Sequence, residues 1–377
     1  MFNVNKKRII REFIELVKIN SETKREATIA RVLKNKFQAL GCHVIEDDSQ
    51  SKTGHGAGNL ICTLAGTLTN IDPVYFIAHM DTVMPGSGVK PRINNGYISS
   101  DGTTVLGADD KVGIVAMLEA IKALKEHQIA HGYIQFIITV GEESGLVGSK
   151  ALDPSYLKAS FGYALDSSGT VGDIVIAAPA HARILASISG KPAHLGISSQ
   201  ERVSATTIAT QAISNMRLGR IDDETSASIS SFEGGSNSVY DCVEILAEAR
   251  SLEQEKLDVQ LHNMRIAFMS AAHQLGGNAD VTIELMYPSF SYQQNDPVVH
   301  IAQAAARSIG RKSRLLKSES GSDANIMSSY DIPTVNLAVG YEHIHTTRER
   351  IAMSELVKVA ELVTAIINQV AQYEKAL

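Results

Sequence analysis

The sequence predicts an α/β domain, its central mixed sheet flanked by helices, interrupted by an inserted ferredoxin-like α+β domain. Three observations point there. Short valine- and isoleucine-rich runs alternate with helical patterns in the first half of the 377-residue chain. A complete β-α-β-β-α-β series fills the middle, and the alternation then resumes and closes on a long amphipathic helix. Length alone argues for two domains, since a single core rarely grows past about 250–300 residues.

In chain order, Ile9, Ile10, Phe13, Leu16 and Val17 form one apolar helical stripe. Ile29, Val32, Leu33 and Phe37 form another, closed by Gly41. Apolar runs at 60–64, 74–78, 134–140 and 161–165 read as buried strands, and 110–125 (DKVGIVAMLEAIKALK) between them is strongly helical. The middle series is strand 181–189, helix 203–216, strands 226–233 and 242–249, helix 252–275 and strand 280–287, which Pro288 closes. Asp296–Pro297 starts a helix over 297–308, with a further apolar run at 332–339 and a last helix at 354–373. The expected division is 1–179 and 289–377 for the α/β domain, and 180–288 for the inserted one.

Hydrophobic content of 44% with 20% charged residues is that of a globular chain. A net charge of −6 offers no basic surface for nucleic acid. No apolar run approaches the roughly 18–20 residues of a membrane span. The opening MFNVNKKRIIREF lacks the apolar core and small-residue cleavage site of a secretory signal. Cys42, Cys62 and Cys242 are odd in number, without metal-type spacing, and read as reduced thiols. A cytoplasmic protein is expected.

Carboxylates and histidines recur where these apolar runs end or helices begin. They are His79 and Asp81 (FIAHMDT), Asp109 and Asp110 (VLGADDKVG), Glu142 and Glu143 (IITVGEESG), Asp166 (GYALDSSG) and His345 (GYEHIHTTRE). A nitrogen and oxygen donor set without cysteine suits zinc and harder divalent cations. His79 could ligate while Asp81 holds its imidazole from behind, although a lone histidine after a strand is often structural. Asp110 reads equally as a helix cap. Asp109 could bridge two ions roughly 3.5–4 Å apart. Of the neighbouring acids Glu142 and Glu143, one can ligate and the other act as general base, while a solvated loop is the plain alternative.

The stretch SSDGTTVLGADDKVG, with AHMDT before it and GEESG after it, resembles peptidase T and its relatives among the co-catalytic zinc exopeptidases. That family includes glutamate carboxypeptidase, acetylornithine deacetylase and aminoacylase. The resemblance spans essentially the whole chain and implies a catalytic α/β domain with a ferredoxin-like lid that commonly mediates homodimerisation. It implies two divalent ions, zinc above all: His79 and Asp166 on one, Glu143 and His345 on the other, Asp109 between them. Asp81 would orient His79, and Glu142 would activate the metal-bridging water and later protonate the leaving amine. In ISGKPAHLG the resemblance points to His194, in FEGGSNSVYDCVEILAEARS to Asn237 and Arg250, and in SGSD to Gly321 and Ser322, as substrate contacts.

Three features depart from the family pattern. Leu195 stands where proline usually follows the lid histidine. The spacing in GGSN is short, with Tyr240 replacing a proline. The last ligand sits in HIHTTRE, so His343 competes with His345, which Glu349 favours by its spacing. The implied activity is release of the N-terminal residue from short peptides. The same centre could instead serve an N-acyl amino-acid deacylase or carboxypeptidase, and a non-catalytic small-molecule binding protein is the reading from another class.

Overall fold

The computed structural model describes residues 4–191, 203–236 and 241–373. They fall into two units. One runs to Ala177 and resumes over Tyr292–Lys317 and from Ser322 onward; the other comprises Ala178–Ser291 with Ser318–Gly321.

In the first unit every residue of the strands Val74–His79 and Ile134–Thr139 is buried. Continuous apolar runs of this kind arise where helices cover both faces of a sheet. Val74–His79 lies between Ile134–Thr139 and Phe161–Ser167 and runs parallel to both. Thr334–Ala338 adds to Phe161–Ser167, again in parallel. Leu60–Leu64 pairs antiparallel with Ile134–Thr139, and His43–Glu46 antiparallel with Leu60–Leu64, which makes the sheet mixed.

This arrangement decides where the polar residues go. Parallel strands end at the same edge, the edge at which open α/β sheets place their ligands. His79 stands opposite Thr139, so Glu142 and Glu143 follow at its level. Ile77 stands opposite Ala164, which brings Asp166, two residues on, level with His79. The helix Ala108–Glu126 starts at the same edge and packs on the Val74–His79 strand and on the helices Lys6–Val17 and Met353–Tyr373. It is buried on nearly all sides, in keeping with its many Ala, Ile, Leu and Met residues.

A second, smaller sheet was not expected from the sequence. Arg350–Ala352 pairs antiparallel with both Tyr341–Glu342 and Tyr97–Ser99, and the latter with Arg92–Asn94. Strands of two or three residues leave no readable periodicity. Their effect is to pin both ends of the segment that carries His345.

In the second unit the strand order is Gly219–Arg220, Thr225–Ser236, Asp241–Ser251, Ala180–Ser189, Asn278–Tyr287, all antiparallel. With the helices Ala205–Ser214 and Gln254–Leu275 between strands, this is the ferredoxin-like order, extended by the short Gly219–Arg220 strand. Ile184, Ala186, Val243 and Ile245 pack under Ile208, Leu257, Met264 and Phe268. The first helix starts later than the expected 203–216 because Ser204 caps it, accepting a bond from Thr207 N, and it ends earlier, at Ser214.

Candidate metal centre

His79 is the last residue of its strand, so its imidazole leaves the core at the sheet edge. Nε2 lies 3.0 Å from Asp109 Oδ1 and 4.0 Å from Asp166 Oδ1. On its other side Nδ1 lies 3.1 Å from the Asp81 carbonyl and 3.3 Å from Asp81 Oδ1. Asp81 thus supports the ring, but from the turn after the strand and through backbone as well as carboxylate. Thr23 Oγ1 donates to Asp81 Oδ2 (2.8 Å) and Glu142 N to Asp81 Oδ1 (3.1 Å), which fixes the carboxylate.

Asp109 sits in the first turn of the Ala108–Glu126 helix with non-helical backbone, after the left-handed Gly107. Its other oxygen, Oδ2, lies 3.2 Å from His345 Nε2, which is 3.0 Å from Glu143 Oε1. Two groups of possible ligands result, His79–Asp109–Asp166 and Asp109–Glu143–His345, each with its donor atoms within 4.8 Å of one another. One carboxylate is shared, each of its oxygens facing a different imidazole. The His345 ring joins the cluster, and His343 belongs to neither group. Asp110 takes the plain alternative: its Oδ1 caps the helix by accepting from Gly113 N at 3.1 Å.

The electrostatics show what the cluster lacks. Burial pushes the carboxyls of Asp166 and Glu142 well above the usual range, with Asp109 adding to the effect at Asp166, and Asp166 at Glu142. Burial also acts to raise Asp109, yet hydrogen bonds from His345 and His79 outweigh it and hold that carboxyl below the usual range. Burial opposes charge on His79, but its bonds to Asp109 and Asp81 drive its pKa well up. Hydrogen bonds to Asp109 and Glu143 push His345 up to about 10 against its partial burial. The acids therefore pull protons onto both imidazoles. A divalent cation in each group answers the same demand with neutral imidazole nitrogens and carboxylate oxygens, so the donor set fits a metal pair.

Beyond Asp81, the supporting residues were not foreseen. Tyr341 Oη donates to Asp166 Oδ1 (2.9 Å), and Asn336 Oδ1 accepts from Asp166 N (2.9 Å). Buried Glu349 accepts from the backbone N–H of Leu106, Gly107 and Asp109, tying the segment after His345 to the start of the Ala108–Glu126 helix. Lys111 is buried and donates to Ser21 Oγ, with burial lowering its pKa to about 8. Only Glu349 left a trace in the sequence, through its spacing from His345. Hydroxyls, amides and a lysine in a helix read like any other polar residues.

His194 and Asn237 lie outside the described residues, as do Leu195 and Tyr240. Arg250, on the Asp241–Ser251 strand of the second unit, bonds to Glu248 Oε2 at 3.1 Å. Gly321 N donates to Tyr287 Oη, and a β-carbon at 321 would come within 2.3 Å of that ring. The Ser322 hydroxyl caps the helix Asp323–Ser329 and accepts from Asn336 Nδ2 at 3.0 Å, a structural engagement.

Residues 75–369 match the family model described as peptidase family M20/M25/M40. The chain belongs to that family. It is a peptidase, and within the family its likenesses cluster. It is 60% identical over 371 residues to the uncharacterised protein YqjE of Bacillus subtilis strain 168, covering 98% of this chain and 100% of that protein. The crystal structure of aminopeptidase PepT from Bacillus cereus ATCC 10987 superimposes with a TM-score of 0.93 at 57% identity, covering 98% and 99% of the two chains. A tripeptidase from Staphylococcus aureus subsp. aureus Mu50 gives 0.94 at 48% identity, with the same coverages. No helix among the described residues is long and apolar enough to cross a membrane.

Proposed function

We propose that the chain is a two-metal aminopeptidase that releases the N-terminal residue of short peptides, tripeptides above all. The sharing of Asp109 between two ligand groups carries the reading, and the likeness to an aminopeptidase and a tripeptidase supports the substrate class. His79 and Asp166 would hold one ion, Glu143 and His345 the other, with zinc as the metal the donors suit. Bound there, a divalent pair supplies Lewis acidity that polarises a carbonyl and acidifies water.

Glu142 accepts a proton from the attacking water and returns it to the leaving amine. In the metal-free protein burial and the neighbouring acid Asp166 raise its proton affinity, the direction that favours holding the proton between the two transfers. Asp81 holds His79 by Nδ1 and Glu142 by its backbone N–H, so one carboxylate orients a ligand and the base together. Arg250, His194, Asn237 and Gly321 are proposed to contact the substrate, Arg250 through its guanidinium to a carboxylate; Ser322 would support them. The ferredoxin-like unit would serve as lid and homodimer surface, where Val259, Ile266 and Met269 expose apolar side chains along one helix. The three free cysteines accord with a cytoplasmic location.

The zinc-loaded protein tested on di- and tripeptides, their N-acetylated forms and N-acyl amino acids decides the reading. Cleavage of free tripeptides after the first residue, abolished by N-acetylation, is expected. Preference for N-acyl amino acids, or release from the C-terminus, would replace it with a deacylase or carboxypeptidase.

A further inference from the structure

Glu142 and Glu143 ride on a loop, residues 141–147, between the strand Ile134–Thr139 and the helix Val147–Ala151. The loop contains three left-handed residues, Gly141 (φ 58°), Gly145 (φ 100°) and Leu146 (φ 62°). A β-carbon makes that conformation unfavourable at Leu146, so something outside the loop has to hold it.

Two buried side chains meet its roots. Asn59 Oδ1 accepts from Val140 N (3.1 Å), while its Nδ2 donates to Gly148 O (2.9 Å) and to Asp47 Oδ2 (2.8 Å). The Asp47 carboxylate only accepts, which fixes the Asn59 amide with nitrogen towards it and oxygen towards Val140. From the other side, Asp323 Oδ2 accepts from Thr139 Oγ1 and Oδ1 from Ser149 Oγ, both at 2.6 Å. One side chain joins 140 to 148 and the other joins 139 to 149. A β-carbon at Gly148 would stand 2.1 Å from Val140 O and 2.6 Å from Asn59 Oδ1, so only glycine lets the roots approach this closely. At the tip, His55 Nε2 lies 3.0 Å from Ser144 Oγ.

We infer that Asn59 and Asp323 form a double clamp on the two roots of the 141–147 loop, and are positioning residues for Glu142 and Glu143. Neither is placed among the metal ligands or proposed substrate contacts. The inference rests on the roles proposed above for those two glutamates, and the test separates the two ideas.

Asp323→Ala removes the outer bridge. Asp323→Asn keeps it: an amide can accept one hydroxyl and donate to the other, whose proton turns to the Ala78 or Leu146 carbonyl already beside it. In the metal-free protein, Asp323→Ala should speed amide hydrogen exchange over 140–149 by about tenfold or more, with Asp323→Asn close to wild type. In the zinc-loaded protein, Asp323→Ala should lower kcat roughly ten- to hundredfold with KM within about twofold, and Asp323→Asn should recover most of it. Should Asp323→Ala fail to fold, Thr139→Val and Ser149→Ala each remove one bond and should show the same faster exchange and reduced kcat to a smaller degree. Unchanged exchange over 140–149 would overturn the clamp. So would an Asp323→Asn variant as impaired as Asp323→Ala, which would mean that its charge acts and its shape does not. Retained activity in Glu142→Ala would refute the role of the base while leaving the exchange result to judge the clamp.

Discussion

The two halves of the site are built differently. His79 and Asp166 come from the ends of neighbouring parallel strands, and sheet register alone brings them level. Their side chains are almost enclosed, with His79 1% exposed and Asp166 13%. Glu143 and His345 come from loops; the Glu143 side chain is enclosed at 8% exposed, but His345, with φ of 59°, is 50% exposed, so the contrast in enclosure lies between the two histidines. The strand half takes its placement from register, and Asp81, Tyr341 and Asn336 then orient the two residues. The loop half is held by Glu349, Asn59, Asp323 and the small sheet that pins residues 341–352. Asp109 joins the halves, and what binds it to one also binds it to the other.

The largest effect should come from removing that joint. Asp109→Ala is expected to lose both metals and all measurable peptidase activity, as read by metal analysis of the dialysed protein; retention of one full equivalent would show that the halves bind independently. Next, Glu142→Ala should reduce kcat by about 10²–10⁴ while metal content stays near that of the wild type, because the role proposed for it moves a proton and supplies no ligand atom. Equal metal loss in the two variants would exchange the roles of the neighbouring glutamates.

Single ligands should differ less. His79→Ala leaves the buried Asp81 carboxylate without its imidazole and disturbs the N–H of Glu142, whereas water can take the place of half-exposed His345. Metal affinity should fall at least about tenfold further in His79→Ala than in His345→Ala. Equal losses would mean that enclosure does not separate the halves.

The smallest effect concerns pH. In the metal-free protein the folded state raises the pKa of both histidines, so their contribution to stability is complete below the unfolded value near 6.5. For His345 it is lost as pH rises through about 10. The melting temperature of the metal-free protein should therefore fall from pH 6.5 towards 10, and His345→Ala should flatten part of that slope. Metal uptake requires neutral imidazoles, so it should release protons, measurable as a buffer-dependent heat in calorimetry.

The same contrast explains what the sequence disclosed. The strands at 60–64, 74–79, 134–139 and 161–167 were legible because unbroken valine, isoleucine and aromatic runs have few other uses. An acid or histidine ending such a run stands out, which is how His79, Glu142, Glu143 and Asp166 were found. The β-α-β-β-α-β series was legible because each of its elements is ten residues or longer. Arg314–Lys317 and the four strands of the small sheet were not, being short pieces fixed by pairing more than by pattern; Asp173–Ala178 was not read either, although it is as long as Val74–His79. Asn59, Thr139, Ser149 and Asp323 act through bonds between residues more than 80 positions apart, and no local spacing announces that.

Anomalous scattering from crystals of the zinc-loaded protein would show whether Asp109 is shared between two ions. Two peaks are expected, one beside His79 and Asp166 and one beside Glu143 and His345, with an oxygen of Asp109 on each. A single peak, or a pair of which Asp109 touches only one, would contradict that.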